Sequence, residues 1–165
     1  MWLQIKHIGT SSDNTALFVV MCEGKQSQPV ALTPPKEITV GKYNTNLQDL
    51  QWYLEDYMEL PIGTYRIRAE AVQTALSQWG RDCFEALFAS SPARDWYFAT
   101  QQEDLTNLQL VIVSDDPAVL SWPWEALKTP DNNFIAQHCP ITRQIETDKI
   151  KNTQPLSDTF PYDKL

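Results

Sequence analysis

The chain has 165 residues, 42% hydrophobic and 21% charged, a composition that suits one globular domain and excludes a disordered or fibrous chain. Its 21 acidic against 13 basic side chains leave a net charge of −8, so the average field repels a nucleic-acid backbone or an anionic membrane surface and favours a basic partner. Apolar runs stay short of the roughly 18 residues of a membrane span, Met1 to Thr10 lacks a secretory signal pattern, and three scattered cysteines, Cys22, Cys83 and Cys139, argue for reduced thiols in a cytoplasmic protein.

Met1 to Ile8 and Ala16 to Cys22 are rich in β-branched and aromatic residues and are separated by the turn-forming stretch Gly9 to Asn14. Gln28 to Leu32 follows, and Pro34 with Pro35 stops the ladder by removing two backbone donors. Residues 1–45 are thus expected to form a small antiparallel meander, a peripheral ribbon beside the main sheet.

Asn46 can cap a helix with Asp49 in its first turn, and Leu47, Leu50, Leu54, Tyr57 and Met58 recur at helical spacing up to Pro61 and Gly63. Glu55, Asp56 and Glu59 form an acidic outer face. A second helix is predicted from Tyr65 to Ala89, with Ala69, Val72, Leu76, Trp79, Cys83, Phe84 and Leu87 on one stripe and Ser90, Ser91 and Pro92 ending it. Gly80 inside that helix costs about 1 kcal/mol relative to alanine, which points to close approach of another element.

Leu108 to Ser114 is a nearly continuous apolar run bounded by Asn107 and by Asp115, Asp116 and Pro117, the pattern of a parallel strand buried on both faces. Ala118 to Leu127, a turn at Pro130 to Asn133 and an extended segment from Phe134 to Ile145 come next, and residues 147–165 read as a polar linker or tail.

Chemistry-bearing patterns are few. His138 and Cys139 are direct neighbours in an extended segment, so their side chains point to opposite faces. His7 and Cys22 lie on two strands expected to pair and could meet across the ribbon, although a peripheral ribbon seldom builds an oxyanion site. There is no CxxC, HxxxH, GxGxxG or P-loop, so neither a metal nor a cofactor is expected. Asp115 and Asp116 stand at a strand C-terminus, where open α/β sheets place ligand groups, and they form a candidate cleft; a capped turn explains them equally well. In LSWPWEAL, from Leu120 to Leu127, Trp122 and Trp124 flank Pro123, which suits the first turn of a short helix, and Glu125 sits near its N-terminus.

QWYLEDYMELP, AVQTALSQWGRDCFEALF with its Trp79 and Gly80, LQLVIVSDDP, LSWPWEAL and NNFIAQHCPITRQIE, in that order, resemble the N-terminal portion of the CHAT family over residues 46–146. Members are caspase-like cysteine peptidase domains commonly joined to tetratricopeptide repeats, and the family's LPWELL-type motif is matched by Trp122 to Leu127 with alanine at Ala126, while Ser121 followed by Trp122 replaces the usual leucine before the proline. The resemblance implies an α/β fold corresponding to the N-terminal half of a caspase-like sandwich. The family's catalytic Gly-His-Gly-like motif and its cysteine lie on later strands and have no counterpart here, so no catalytic residue is carried over.

The expected function is therefore the scaffold portion of a CHAT-type cysteine endopeptidase, catalytically inactive by itself, whose partner is the remaining catalytic half. The alternative is a non-enzymatic module, a split or degenerate protease piece, that binds a partner chain. Either way the sheet is expected to expose an unpaired strand edge.

Overall fold

Alternation of Leu3, Ile5 and His7 with Gln4 and Lys6 makes β1 (Trp2–Thr10) a strand with one buried face. In the computed structural model, which describes residues 2–13, 15–35, 37–40, 43–58, 65–102 and 108–146, β1 pairs antiparallel with β2 (Ala16–Cys22), Ile5 opposite Val20 and His7 opposite Phe18. Two short strands, β3 (Lys25–Gln26) and β4 (Val30–Leu32), add to the far edge of β2.

The free edge of β1 takes β7 (Gln109–Ser114) in parallel, Leu3 beside Leu110 and Ile5 beside Ile112, and β7 takes β8 (Ile141–Ile145) in parallel on its other side. The result is an open, mixed, six-stranded sheet in the order β3-β2-β1-β7-β8, with β4 alongside β2. The N-terminal strands are thus part of the main sheet, with β1 at its centre, and the peripheral ribbon expected from their polar alternate positions is not formed. Lys6 is tolerated at the centre because its Nζ reaches Glu146 Oε1 at 2.5 Å, so the charge is partnered while its register neighbours Val19 and Val113 are buried. A separate hairpin, β5 (Glu37–Val40) with β6 (Tyr43–Asn46), follows Pro34 and Pro35 as a second, two-stranded sheet, so the strands expected within residues 1–45 do not form one meander.

The first predicted helix is short: α1 (Leu47–Trp52) passes into a π-helical turn, Tyr53–Tyr57, closed by Met58 N–H to Tyr53 O at 3.1 Å. Its expected end at Pro61 and Gly63 lies outside the described residues. The long apolar stripe forms α2 (Arg66–Leu87) as predicted, burying Ala69, Val72, Trp79, Cys83, Phe84 and Leu87. Ser90, Ser91 and Pro92 end α2, but they also begin α3 (Ser91–Gln102), where the Ser91 hydroxyl donates to Asp95 at 2.9 Å. A serine followed by proline stops one helix and starts the next equally well, and Ala93 and Tyr97, four apart, supply the buried face. The extended segment predicted from Phe134 to Ile145 is instead a 3₁₀ turn, Ile135–Gln137, followed by β8. The expected linker beyond Glu146 lies outside the described residues.

The core is built on one face of the sheet. Leu3, Ile5, Phe18, Val20, Leu110 and Ile112 pack against α2, α3 and the Trp122 to Leu127 turn. Gly80 is the closest point of that packing: a Cβ there would lie 1.8 Å from the Ala126 carbonyl oxygen, and Lys128 N–H donates to Gly80 O at 3.3 Å. The glycine inside α2 is thus explained by backbone against backbone. Gly80→Ala should lower stability by about 3 kcal/mol, because the clashing atoms belong to the main chain and cannot swing aside; a urea midpoint equal to that of the wild type would contradict this packing.

Candidate functional site

The C-terminal ends of the parallel strands and the LSWPWEAL turn form one neighbourhood. Asp116 is the N-cap of the short helix α4 (Pro117–Leu120), its Oδ1 accepting Ala118 N–H at 2.8 Å with Pro117 in the first turn. Capping therefore accounts for Asp116. Ser114, fully buried at the end of β7, accepts Asp116 N–H at its Oγ at 3.0 Å and lies 3.0 Å from His7 Nδ1. Asp115 Oδ1 is 3.9 Å from the same nitrogen.

Serine, histidine and aspartate are thus together, but not as a nucleophilic relay. Such a relay needs the hydroxyl on one imidazole nitrogen and the carboxylate on the other, whereas here both face Nδ1. Nε2 is buried and has no hydrogen-bond partner among the described residues, and the Ser114 hydroxyl is closed to solvent. The group joins β1 to β7 and the turn after it.

Cysteine chemistry is also not assembled. His7 is opposite Phe18 in the register, and Cys22 lies at the other end of β2 opposite Lys25, so the two do not meet. His138 is exposed while Cys139 is buried with its Sγ toward Pro140 O at 3.5 Å. Burial raises the thiols of Cys22 and Cys139, and burial with Asp82 beside it pushes Cys83 up to about 12. A thiol held in its neutral form is a poor nucleophile. Among the described residues no group of His, Cys, Asp and Glu could hold a metal ion, and no helix is long and apolar enough to cross a membrane.

LSWPWEAL provides the anchor of this region. The rings of Trp122 and Trp124 stack at 5.5 Å, Trp79 meets them edge-on at 6.2 and 6.1 Å, and Phe18 packs on both from the sheet. The indoles satisfy their donors locally, Trp124 Nε1 to Val119 O at 2.9 Å and Trp79 Nε1 to Thr33 O at 3.0 Å. Pro123 precedes a 3₁₀ turn, Trp124–Ala126, and leaves Glu125 exposed.

Glu125 is where this anchor reaches the sheet edge. Arg143 of β8 donates to both its oxygens, at 2.6 and 2.7 Å, and also to Leu120 O at 2.8 Å and Trp122 O at 3.4 Å. The fork matches a carboxylate and two carbonyls at once, which a lysine could not do. Arg143 escapes a sequence reading because one arginine in an exposed edge strand carries no sign of what lies across from it.

Trp124→Ala should cost about 3–5 kcal/mol by opening a cavity beneath Phe18 and Trp79, read as a lower denaturant midpoint. The hydrogen bonds from Arg143 hold the Glu125 carboxyl below its ordinary value. A depressed folded pKa stabilises the fold above the unfolded glutamate value of about 4.3 and the benefit is lost as pH falls through the folded value. The stability gap between wild type and Glu125→Gln should therefore be constant near neutrality and close in acid; a gap independent of pH would contradict the pairing.

Comparison of the chain with protein-family models, with curated proteins and with solved structures finds no match.

Proposed function

We propose that this chain is the scaffold part of a CHAT-type, caspase-like cysteine endopeptidase, onto which the part bearing the histidine and cysteine docks. The observation that carries this reading is the outer edge of β8. Leu110 N–H bonds to Pro140 O and Glu146 N–H to Ser114 O, so alternate peptide groups of β8 face β7 and those of Ile141, Arg143 and Ile145 face away. Among the described residues no strand pairs with that edge. An open parallel edge is a template for a further strand and a liability if left bare. Here it is held in place by Arg143, which ties β8 to the turn that most resembles the family motif.

The order of α2, β7, the LSWPWEAL turn and β8 supports the same reading. The same edge also fits the second reading, a non-enzymatic module that binds a partner chain by strand addition.

Two measurements separate these. Against a fluorogenic peptide library the purified chain should show no turnover; turnover abolished by replacing Cys22, Cys83 or Cys139 with serine would overturn the scaffold reading. Mass spectrometry of the protein from its native source should find the chain joined to, or in equimolar complex with, a segment bearing the dyad. An equimolar partner without peptidase activity would favour the interaction module instead.

A further inference from the structure

A second feature lies away from the sheet edge, on the polar side of α2. A cavity of about 440 Å³ opens between α2, Tyr53 and the turn that carries Lys128 and Phe134. None of its lining residues is acidic, although the chain carries 21 acidic side chains, and two of them are cations, Lys128 and Arg81.

Lys128 is only 7% exposed, and among the described residues the partners of its ammonium are neutral. Its Nζ donates to Ser77 Oγ at 2.8 Å and to Asn132 Oδ1 at 3.3 Å, and it sits 4.2 Å from the centre of the Phe134 ring. Arg81 Nη2 donates to the same Asn132 oxygen at 3.0 Å, and Arg81 Nε is buried with no acceptor among the described residues. Two positive groups therefore converge on one neutral amide oxygen, with donor capacity left over. Neighbouring acids do not relieve this: Asp82 accepts from Gln78 at 2.7 Å, and Asp131 lines a different, smaller cavity beside His138. No carboxylate pairs with Lys128 or Arg81 among the described residues.

A buried ammonium without a counter-ion is costly, and a second cation beside it raises the cost, so the arrangement is most stable when an anion supplies the missing charge. We propose that this cavity is a binding site for a small organic acid. Its carboxylate or phosphate group meets Lys128 and Arg81, and its planar body lies between the rings of Tyr53 and Phe134, with Gln73 and Gln78 offering amide contacts along α2. The site is independent of the scaffold role: it involves neither β8 nor Glu125.

The test is titration of the full chain with phenyl phosphate and with benzoate at low salt, followed by calorimetry and by chemical shifts. Saturable binding of either is expected, weakening as salt rises and falling about tenfold or more in Arg81→Gln and in Lys128→Met. Which compound binds more tightly assigns the anionic group, and competition by inorganic phosphate alone would assign phosphate. Arg81→Gln, at a half-buried residue, serves if Lys128→Met does not fold. No saturation up to about 10 mM of both compounds, or equal affinity in wild type and Arg81→Gln, would overturn the site.

Discussion

The contact on which this molecule turns is that of two backbones, Gly80 in α2 and Ala126 in the LSWPWEAL turn. With no side chain at Gly80 the Ala126 carbonyl can come within 1.8 Å of where a Cβ would be, and Lys128 N–H then reaches Gly80 O. That closeness lets Trp79, one residue earlier, stand edge-on to both Trp122 and Trp124. Aromatic rings prefer such edge and offset arrangements and bring large rigid areas out of water, so one short turn holds α2 to the sheet. From the same turn Glu125 and two carbonyls extend to β8 on one side, and Lys128 extends into the cavity on the other. The open edge and the cationic pocket are thus both positioned by a single close approach.

Buried polar groups divide into those the fold satisfies and those it leaves in want of a partner. The indole donors of Trp79 and Trp124 each find a carbonyl, and Ser27 Oγ takes Val20 N–H at 2.9 Å while donating to Gln28 O. These are the ordinary terms of a packed interior. Among the described residues His7 Nε2, Arg81 Nε and Ser90 Oγ are exceptions, and Lys128 is an exception of charge. For His7 the surroundings are aromatic, with the Phe18 ring at 5.3 Å. Lys128 and Arg81 line a cavity, and together they point to a binding site.

Proximity without reactive geometry also marks the histidine cluster at the end of β7. Ser114, His7 and Asp115 are neighbours, but one imidazole nitrogen faces both partners and the hydroxyl is sealed, so the cluster fastens strands together. The three thiols are buried, and burial raises each of them, which favours the neutral form. The described residues also present a parallel strand edge stapled in position and a pocket lined by two cations in an acidic chain.

Much of the local structure was legible in the residues. The 3- and 4-residue steps of α2, the apolar run of β7, the pairing of β1 with β2 and the bare face of Gly80 all follow from periodicity and steric size, which depend on near neighbours alone. The centrality of β1, the start of α3 at a helix stop, the fork of Arg143 and the meeting of Arg81 with Lys128 at Asn132 did not show themselves. Each joins groups that are far apart along the chain or reads a signal with two meanings. Sequence by itself determined which segments could be helix or strand and which faces were apolar, because those are properties of one segment. Tertiary structure alone decided which edge has no strand beside it and which charges have no carboxylate beside them among the described residues, because both depend on what the rest of the chain brings alongside.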